Sequence, residues 1–409
     1  MPTIDADRLI RDLRDLARIG AYRTGVHRPT YSAPDMEARR WLMERMRAAG
    51  LEPSIDGIGN VLGRSGGNGP KLLLGSHVET QNHAGWLDGA LGVMFGLEVF
   101  RSFAEDASCA GLGIDVVAFA DEEGHFGGFL GSRSFIGELD EAEMDRCANK
   151  FDGSPMRDAL AAAGLSGIAR MTLEPGRYRG YLEAHIEQGA VLENAGEKIG
   201  VVTAIVGSRQ HRIVFTGQQN HAGTTPMAVR RDAGVALVRL AAEIDRRFPA
   251  IAGPATVWTL GRITLEPGAP SIVPGRAEML FQFRDTDPAI LDALSAELDR
   301  LVAEAGQGGC GIELHRVGAS TPILMDAGFQ AAITRAAERL AFGRHRVMPS
   351  GAGHDAQILA RAMPAAMLFV PSIGGISHHF DENTSDADIV LGCAVFADAA
   401  ADILKDASR

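Results

Sequence analysis

The sequence has little cysteine. Cys109, Cys147, Cys310 and Cys393 are its only four, and none lies in a C-x-x-C pair. That excludes a small disulfide scaffold and fits free, mostly buried thiols in a reducing compartment. Basic excess is also lacking: 40 Lys+Arg stand against 52 Asp+Glu, a formal net charge of −12. Such a chain has no basic field for nucleic acid. There is no run of about 18 apolar residues, so no membrane-spanning helix is expected. The start, Met1-Pro2-Thr3-Ile4-Asp5-Ala6-Asp7, has neither a basic nor an apolar stretch. No secretory signal and a cytoplasmic protein are therefore expected. Internal repeats and low-complexity segments are absent. What is abundant is glycine, 49 of 409 residues, about 12% against a usual ~7%. Spread evenly it would suggest disorder; clustered, it suggests tight loops around a site. The length suggests two or three domains.

Helical and strand patterns alternate through the first 207 residues. Asp5–Arg18 and Ala33–Ala49 carry apolar residues at helical spacing. Lys71–Gly75 and Gly113–Ala120 read as buried strands, and Ala90–Phe100 as an apolar helix. This predicts an α/β domain with a mostly parallel sheet, whose sites form beyond the carboxyl ends of its strands. From 208 the order becomes strand His211–Thr216, helix Arg230–Phe248, strands Ala255–Thr264 and Arg276–Arg284, helix Pro288–Ala305 and strand Gly311–Val317. That β-α-β-β-α-β order is ferredoxin-like. Helices over Asp326–Leu340 and from His354, a strand over Ala366–Val370 and a final helix over Ala387–Leu404 return to α/β alternation. A discontinuous catalytic domain, 1–207 with 325–409, is expected to carry an inserted domain at 208–324.

Four segments concentrate imidazole and carboxylate near predicted strand ends. They are Ser76-His77-Val78-Glu79 with Leu87-Asp88-Gly89, Asp121-Glu122-Glu123-Gly124, His185-Ile186-Glu187-Gln188-Gly189, and Ser377-His378-His379. Imidazole with carboxylate and no thiolate suits Zn²⁺, Mn²⁺, Co²⁺ or Ni²⁺. In the adjacent pair Glu122-Glu123, one side chain can bind metal while its neighbour stays free as a general base.

The ordered set resembles the M20 metallopeptidase superfamily, in its hydantoinase/carbamoylase amidohydrolase branch. That branch holds N-carbamoyl-L-amino-acid hydrolases, β-ureidopropionase and allantoate amidohydrolase. The resemblance runs nearly end to end. It includes Asp56-Gly57-Ile58-Gly59-Asn60, His185-Ile186-Glu187-Gln188-Gly189, His221-Ala222-Gly223-Thr224-Thr225-Pro226-Met227 and Ser350-Gly351-Ala352-Gly353-His354-Asp355-Ala356. His185 stands where peptidase members typically carry a carboxylate.

The resemblance implies two divalent cations per subunit, Zn²⁺ or Mn²⁺, with Co²⁺ or Ni²⁺ as alternatives. His77 and His185 would bind one, Glu123 and His378 the other, and Asp88 would bridge them. Glu122 would be the base that deprotonates the water between the metals. His221 would stabilise the oxyanion from across a homodimer built through the inserted domain, which would also act as a lid. Gln188, Ser271, Arg284, Gly353 and His354 would bind a small substrate carrying a carboxylate. The implied reaction is hydrolysis of the linear carbon–nitrogen bond of an N-carbamoyl amino acid or related ureido acid. The alternative is an N-acyl-amino-acid amidohydrolase or dipeptidase of the same superfamily.

Three positions depart from the branch pattern. Glu79 replaces the usual Asp of His-x-Asp, Ser271 the Asn before Ile272-Val273-Pro274, and Gln282 the Asp two residues before Arg284. Trp86, directly before Leu87-Asp88-Gly89, suits either wall packing or a substrate platform.

Overall fold

The computed structural model describes residues 2–67, 69 and 71–406. The chain forms two compact units, Met1–Thr203 with Leu324–Arg409, and Ala204–Ile323. The second starts and ends a few residues from the 208–324 expected for an insert.

In the first unit, four neighbouring strands run parallel in the order Ala365–Val370, Tyr178–Ile186, Lys71–His77 and Gly113–Phe119. Every residue of Lys71–His77 is buried, as expected of a strand covered on both faces. The buried helix Ala90–Glu105 packs on it and is apolar on most of its surface.

The sheet as a whole is mixed, where alternation predicted mostly parallel strands. Val61–Arg64 pairs antiparallel with Gly113–Phe119, and Glu52–Ile55 antiparallel with Val61–Arg64. On the other flank Ile199–Ile205 runs antiparallel to Ala365–Val370. The physical reason is connection length. Glu52–Ile55 and Val61–Arg64 are joined only by the turn Asp56–Asn60, and a parallel crossover needs a dozen residues or more.

That turn also supports the site. Asp56 Oδ1 accepts from the N–H of Ile58 and Asn60 at 3.1 and 2.8 Å. Asn60 Oδ1 then accepts from Ala120 N–H at 3.0 Å, pinning the end of the strand that leads into Glu122.

The second unit holds a four-stranded antiparallel sheet, ordered Val257–Glu266, Arg276–Asp285, Gly207–Thr216, Gly311–Ser320. Helices Ala233–Arg247 and Pro288–Gly306 cover one face and bury Phe215, Phe281, Leu237 and Leu294. The chain order is β-α-β-β-α-β. Strand Val257–Glu266 is a sheet edge with Val257, Leu260, Ile263 and Leu265 exposed.

All four cysteines are free. Among the described residues no helix is long and apolar enough to cross a membrane.

Candidate metal centre

The carboxyl ends of the four parallel strands carry the chemistry. His77 closes its strand, His185 is one residue from the end of its own, Glu122 and Glu123 follow Phe119, and His378 follows Val370. Two groups of potential ligands result: His77 with Asp88 and His185, and Asp88 with Glu123 and His378. Within each, one ligand atom per residue lies within 4.8 Å of the others. Asp88 belongs to both. Its Oδ1 is 3.0 Å from His185 Nε2 and 3.5 Å from His77 Nε2, and its Oδ2 is 3.4 Å from His378 Nε2.

The imidazoles are oriented as metal ligands are. His77 Nδ1–H donates to the carbonyl of Glu79 at 3.0 Å, and His185 Nδ1–H to that of Ile186 at 2.8 Å. Each ring therefore turns Nε2 toward Asp88, the tautomer that metal binding requires. The buried His77 Nε2 has no hydrogen-bond partner. An orphaned, buried imidazole nitrogen facing a carboxylate fits a first-row divalent cation.

Gly89 makes room for this geometry. Its φ is +67°, and a Cβ there would lie 2.4 Å from the His77 ring. Gly89→Ala is expected to displace that ring. Metal affinity should fall at least 10-fold, the lower end of what changes beside a metal shell cost. Competition with a chelating dye would measure it, and unchanged affinity would show that the ring can yield.

Glu122 Oε2 lies 3.5 Å from His77 Nε2. Burial holds its carboxyl well above the usual range against the pull of His77, with Glu123 and Asp355 adding to the rise. Burial raises Asp88, but the facing imidazoles of His185, His378 and His77 outweigh it and hold the carboxyl well below its usual range. Its hydrogen bond to His378 raises that imidazole to about 9. Glu123 is steadied by Gln81, whose N–H donates to Oε1 at 3.0 Å and whose side-chain amide donates to Oε2 at 2.9 Å.

The expected substrate contacts divide between the units. In the first, Gln188 Nε2 donates to Asp88 Oδ2 at 2.9 Å, and its buried Oε1 lacks a partner. His354 is buried, with its ring 4.5 Å from that of His185 and its Nε2 hydrogen-bonded with Ser350 Oγ at 2.9 Å. Gly353 packs against the Phe129 ring.

The second unit contains His221, Ser271 and Arg284. His221 pairs with Ile272, next to Ser271. Its Nδ1 accepts from the N–H of Gly223 and Thr224 at 3.0 and 3.2 Å. That leaves the proton on Nε2, so exposed His221 is a hydrogen-bond donor. Arg284 pairs with Ser208 and Val257 near the end of its strand.

Sequence reasoning passed over two supports. Glu382 is buried, and its Oε1 accepts from Asp88 N–H at 3.1 Å while Oε2 accepts from Ser377 Oγ–H at 3.0 Å. It thereby ties the Asp88 loop to the residue before His378. Burial, then the charge of Asp88, pushes it up to about 7. Arg39 is wholly buried and pairs with Asp35 at 3.0 Å and Glu79 at 2.7 Å. A carboxylate four residues past an expected ligand, His378, was a signal for Glu382. Arg39 had none, since Arg39-Arg40 in a helix reads as solvated surface.

Residues 73–402 match peptidase family M20/M25/M40. The chain is 35% identical over 401 residues to an N-carbamoyl-L-amino-acid amidohydrolase of Paenarthrobacter aurescens, covering 95% of this chain and 96% of that protein. It is 35% identical over 382 residues to an allantoate amidohydrolase of Escherichia coli (strain K12), covering 91% and 92%. The crystal structure of an amidase of the hydantoinase/carbamoylase family from Burkholderia phymatum superposes with a TM-score of 0.93 at 49% identity, over 99% of this chain and 98% of that one. With a shared fold, a match over most of its length and relatives of this identity, the chain belongs to peptidase family M20/M25/M40, among its hydantoinase/carbamoylase-type amidohydrolases.

Proposed function

We propose that this protein holds two divalent cations and cleaves the linear carbon–nitrogen bond of an N-carbamoyl amino acid or related ureido acid. As an amidohydrolase of its family it is a hydrolase of carbon–nitrogen bonds other than peptide bonds, in linear amides. The observation carrying the reading is the pair of ligand groups sharing Asp88, with Glu122 beside them. Zn²⁺ or Mn²⁺, and equally Co²⁺ or Ni²⁺, match donors that are all imidazole or carboxylate. When bound, two such cations would polarise the scissile carbonyl and acidify the attacking water.

Glu122 takes the proton of that water on its carboxylate and returns it to the leaving nitrogen. His221 donates from Nε2 to the developing oxyanion. Arg284 forks onto the substrate carboxylate. Gln188, Ser271, Gly353 and His354 complete the substrate site, over which the second unit closes as a lid.

The test is a screen of protein loaded with Mn²⁺, Zn²⁺, Co²⁺ or Ni²⁺ against carbamoyl, formyl and acyl amino acids, ureido acids and allantoate. Ammonia released together with amine from a carbamoyl or ureido substrate is the expected result. Turnover of acyl substrates alone, without ammonia, would overturn the reading.

The protein is further proposed to be a homodimer through the second unit, with His221 supplied across the interface. The exposed edge strand Val257–Glu266, and Val235 and Val238 exposed on the neighbouring helix, support it. An unpaired apolar edge is a template for a second copy. Sedimentation should give about twice the 43.4 kDa of one chain; a single-chain mass would overturn the dimer.

A further inference from the structure

The residue at the His-x-Glu departure does something other than orient the histidine. An acid two residues after a ligand histidine is expected to hold that histidine's Nδ1–H. Here the main-chain carbonyl of Glu79 takes that role at 3.0 Å, while its carboxylate Oε1 is 4.0 Å from Nδ1. The carboxylate reaches elsewhere. Its Oε1 accepts from the N–H of Glu122 at 2.8 Å, and its Oε2 pairs with Arg39 Nη2 at 2.7 Å.

Arg39 is itself anchored. Its Nη1–H donates to Gly59 O at 2.7 Å, and its Nε pairs with Asp35 Oδ1 at 3.0 Å. Asp35 Oδ2 in turn accepts from Tyr31 N–H at 2.8 Å. Arg39, Asp35 and Glu79 are all fully buried. The bracket therefore runs from the helix Ala33–Ala49 through Arg39 and Glu79 to the backbone of Glu122.

We infer that Glu79 is a positioning residue for Glu122, with Arg39 as its fixed anchor, and that the extra methylene of glutamate is what lets one carboxylate serve both. The inference rests on Glu122 being the base, as proposed above. The need for such a bracket is local. Asp121, just before Glu122, has φ +57°, and its carboxylate gathers the N–H groups of His125, Phe126 and Gly127. That fixes the loop after the Glu122-Glu123 pair. Glu79 fixes the Glu122 peptide itself. An error of about 1 Å in a catalytic group can cost 10²-fold in rate.

Glu79→Asp separates this role from a clamp on His77. Aspartate keeps the charge but is shorter by one C–C bond, about 1.5 Å. Its carboxylate stays with buried Arg39, because an unpaired buried guanidinium is the costlier loss, and Glu122 N–H is left without its acceptor. The expected result is a kcat roughly 10- to 100-fold lower, with KM and metal affinity (by calorimetric titration) within about threefold of the parent. An unchanged kcat would overturn the inference. So would a loss of metal affinity with activity restored by excess metal, because the residue would then act through His77.

The double variant Glu79→Asp/Glu122→Gln should turn over no more slowly than Glu122→Gln alone. A further loss by the same factor would show independent action and also overturn it. If Glu122→Gln keeps parental kcat, the base assignment fails, an outcome distinct from failure of the bracket alone. Should Glu79→Asp not fold, Glu79→Gln keeps the full reach. Among its folded molecules it should lose less kcat than Arg39→Gln, which frees the anchor; the reverse order would overturn the inference.

Discussion

Asp88→Asn is expected to strip the site of metal. Asp88 is the one residue common to both ligand groups, with an oxygen toward each. Asparagine keeps its shape, so no cavity opens and the buried loop held by Glu382 keeps its backbone hydrogen bond. It removes the negative charge that faces His77, His185 and His378, and it leaves a single acceptor oxygen. Changes one step outside a metal shell already cost 10–100-fold in affinity. Losing the shared ligand should cost more than about 100-fold for both ions. Elemental analysis after dialysis should find close to no metal in Asp88→Asn, and activity should vanish with it. His378→Ala removes a ligand from one group only and should retain about half the metal of the parent. Equal metal in the two variants would show that Asp88 does not bridge. The thermal midpoint of metal-free Asp88→Asn should stay near that of the metal-free parent, which separates ligand loss from misfolding.

Glu122→Gln is expected to give the opposite pattern, with metal kept and turnover lost. Glu122 belongs to neither ligand group, so both should still fill. The amide cannot take a proton from water or return one to nitrogen. General acid–base catalysis contributes about 10²–10⁴-fold, and kcat should fall by that factor with KM little changed. A kcat within about threefold of the parent would remove Glu122 from the mechanism. Metal loss in this variant would instead make it a ligand. Together the two expected outcomes would separate residues that hold cations from one that moves protons.

Much of this centre was legible in the sequence because its residues sit where strands stop. His77, Glu122 and His185 each follow or close a buried apolar run; the two ligand groups gather His77 and His185 with Asp88, Glu123 and His378, and Glu122 lies beside His77. The helix Ala33–Ala49, expected from its apolar spacing, forms over those residues, with Ser32 and Gly50 capping its two ends.

The supports were not legible, for a physical reason. A buried ion pair looks in sequence like two surface charges, and only the fold shows which member of Arg39-Arg40 turns inward. Arg39 is buried and Arg40 exposed. The antiparallel flanks were lost differently. Glu52–Ile55 is four residues long, alternates between exposed and half-buried, and contains Pro53, so it carries no strand signal of its own. Pairing with Val61–Arg64 makes it a strand. Glu79 could be seen as a departure, but its direction could not, because one added methylene redirects a carboxylate only if something is there to receive it.

The strand order also dictates a timetable for synthesis. Ala365–Val370 lies between Tyr178–Ile186 and Ile199–Ile205, strands that leave the ribosome far earlier. While the chain is being made, its central sheet therefore has a gap that only the last part of the sequence fills. His77, Asp88 and His185 can emerge and meet while that gap is open, whereas the second ligand group waits for His378. The second unit, Ala204–Ile323, is a continuous stretch and can fold in the interval, as domains do when N-terminal parts fold first. On the proposed reading, one ligand group is complete in the nascent chain well before the other.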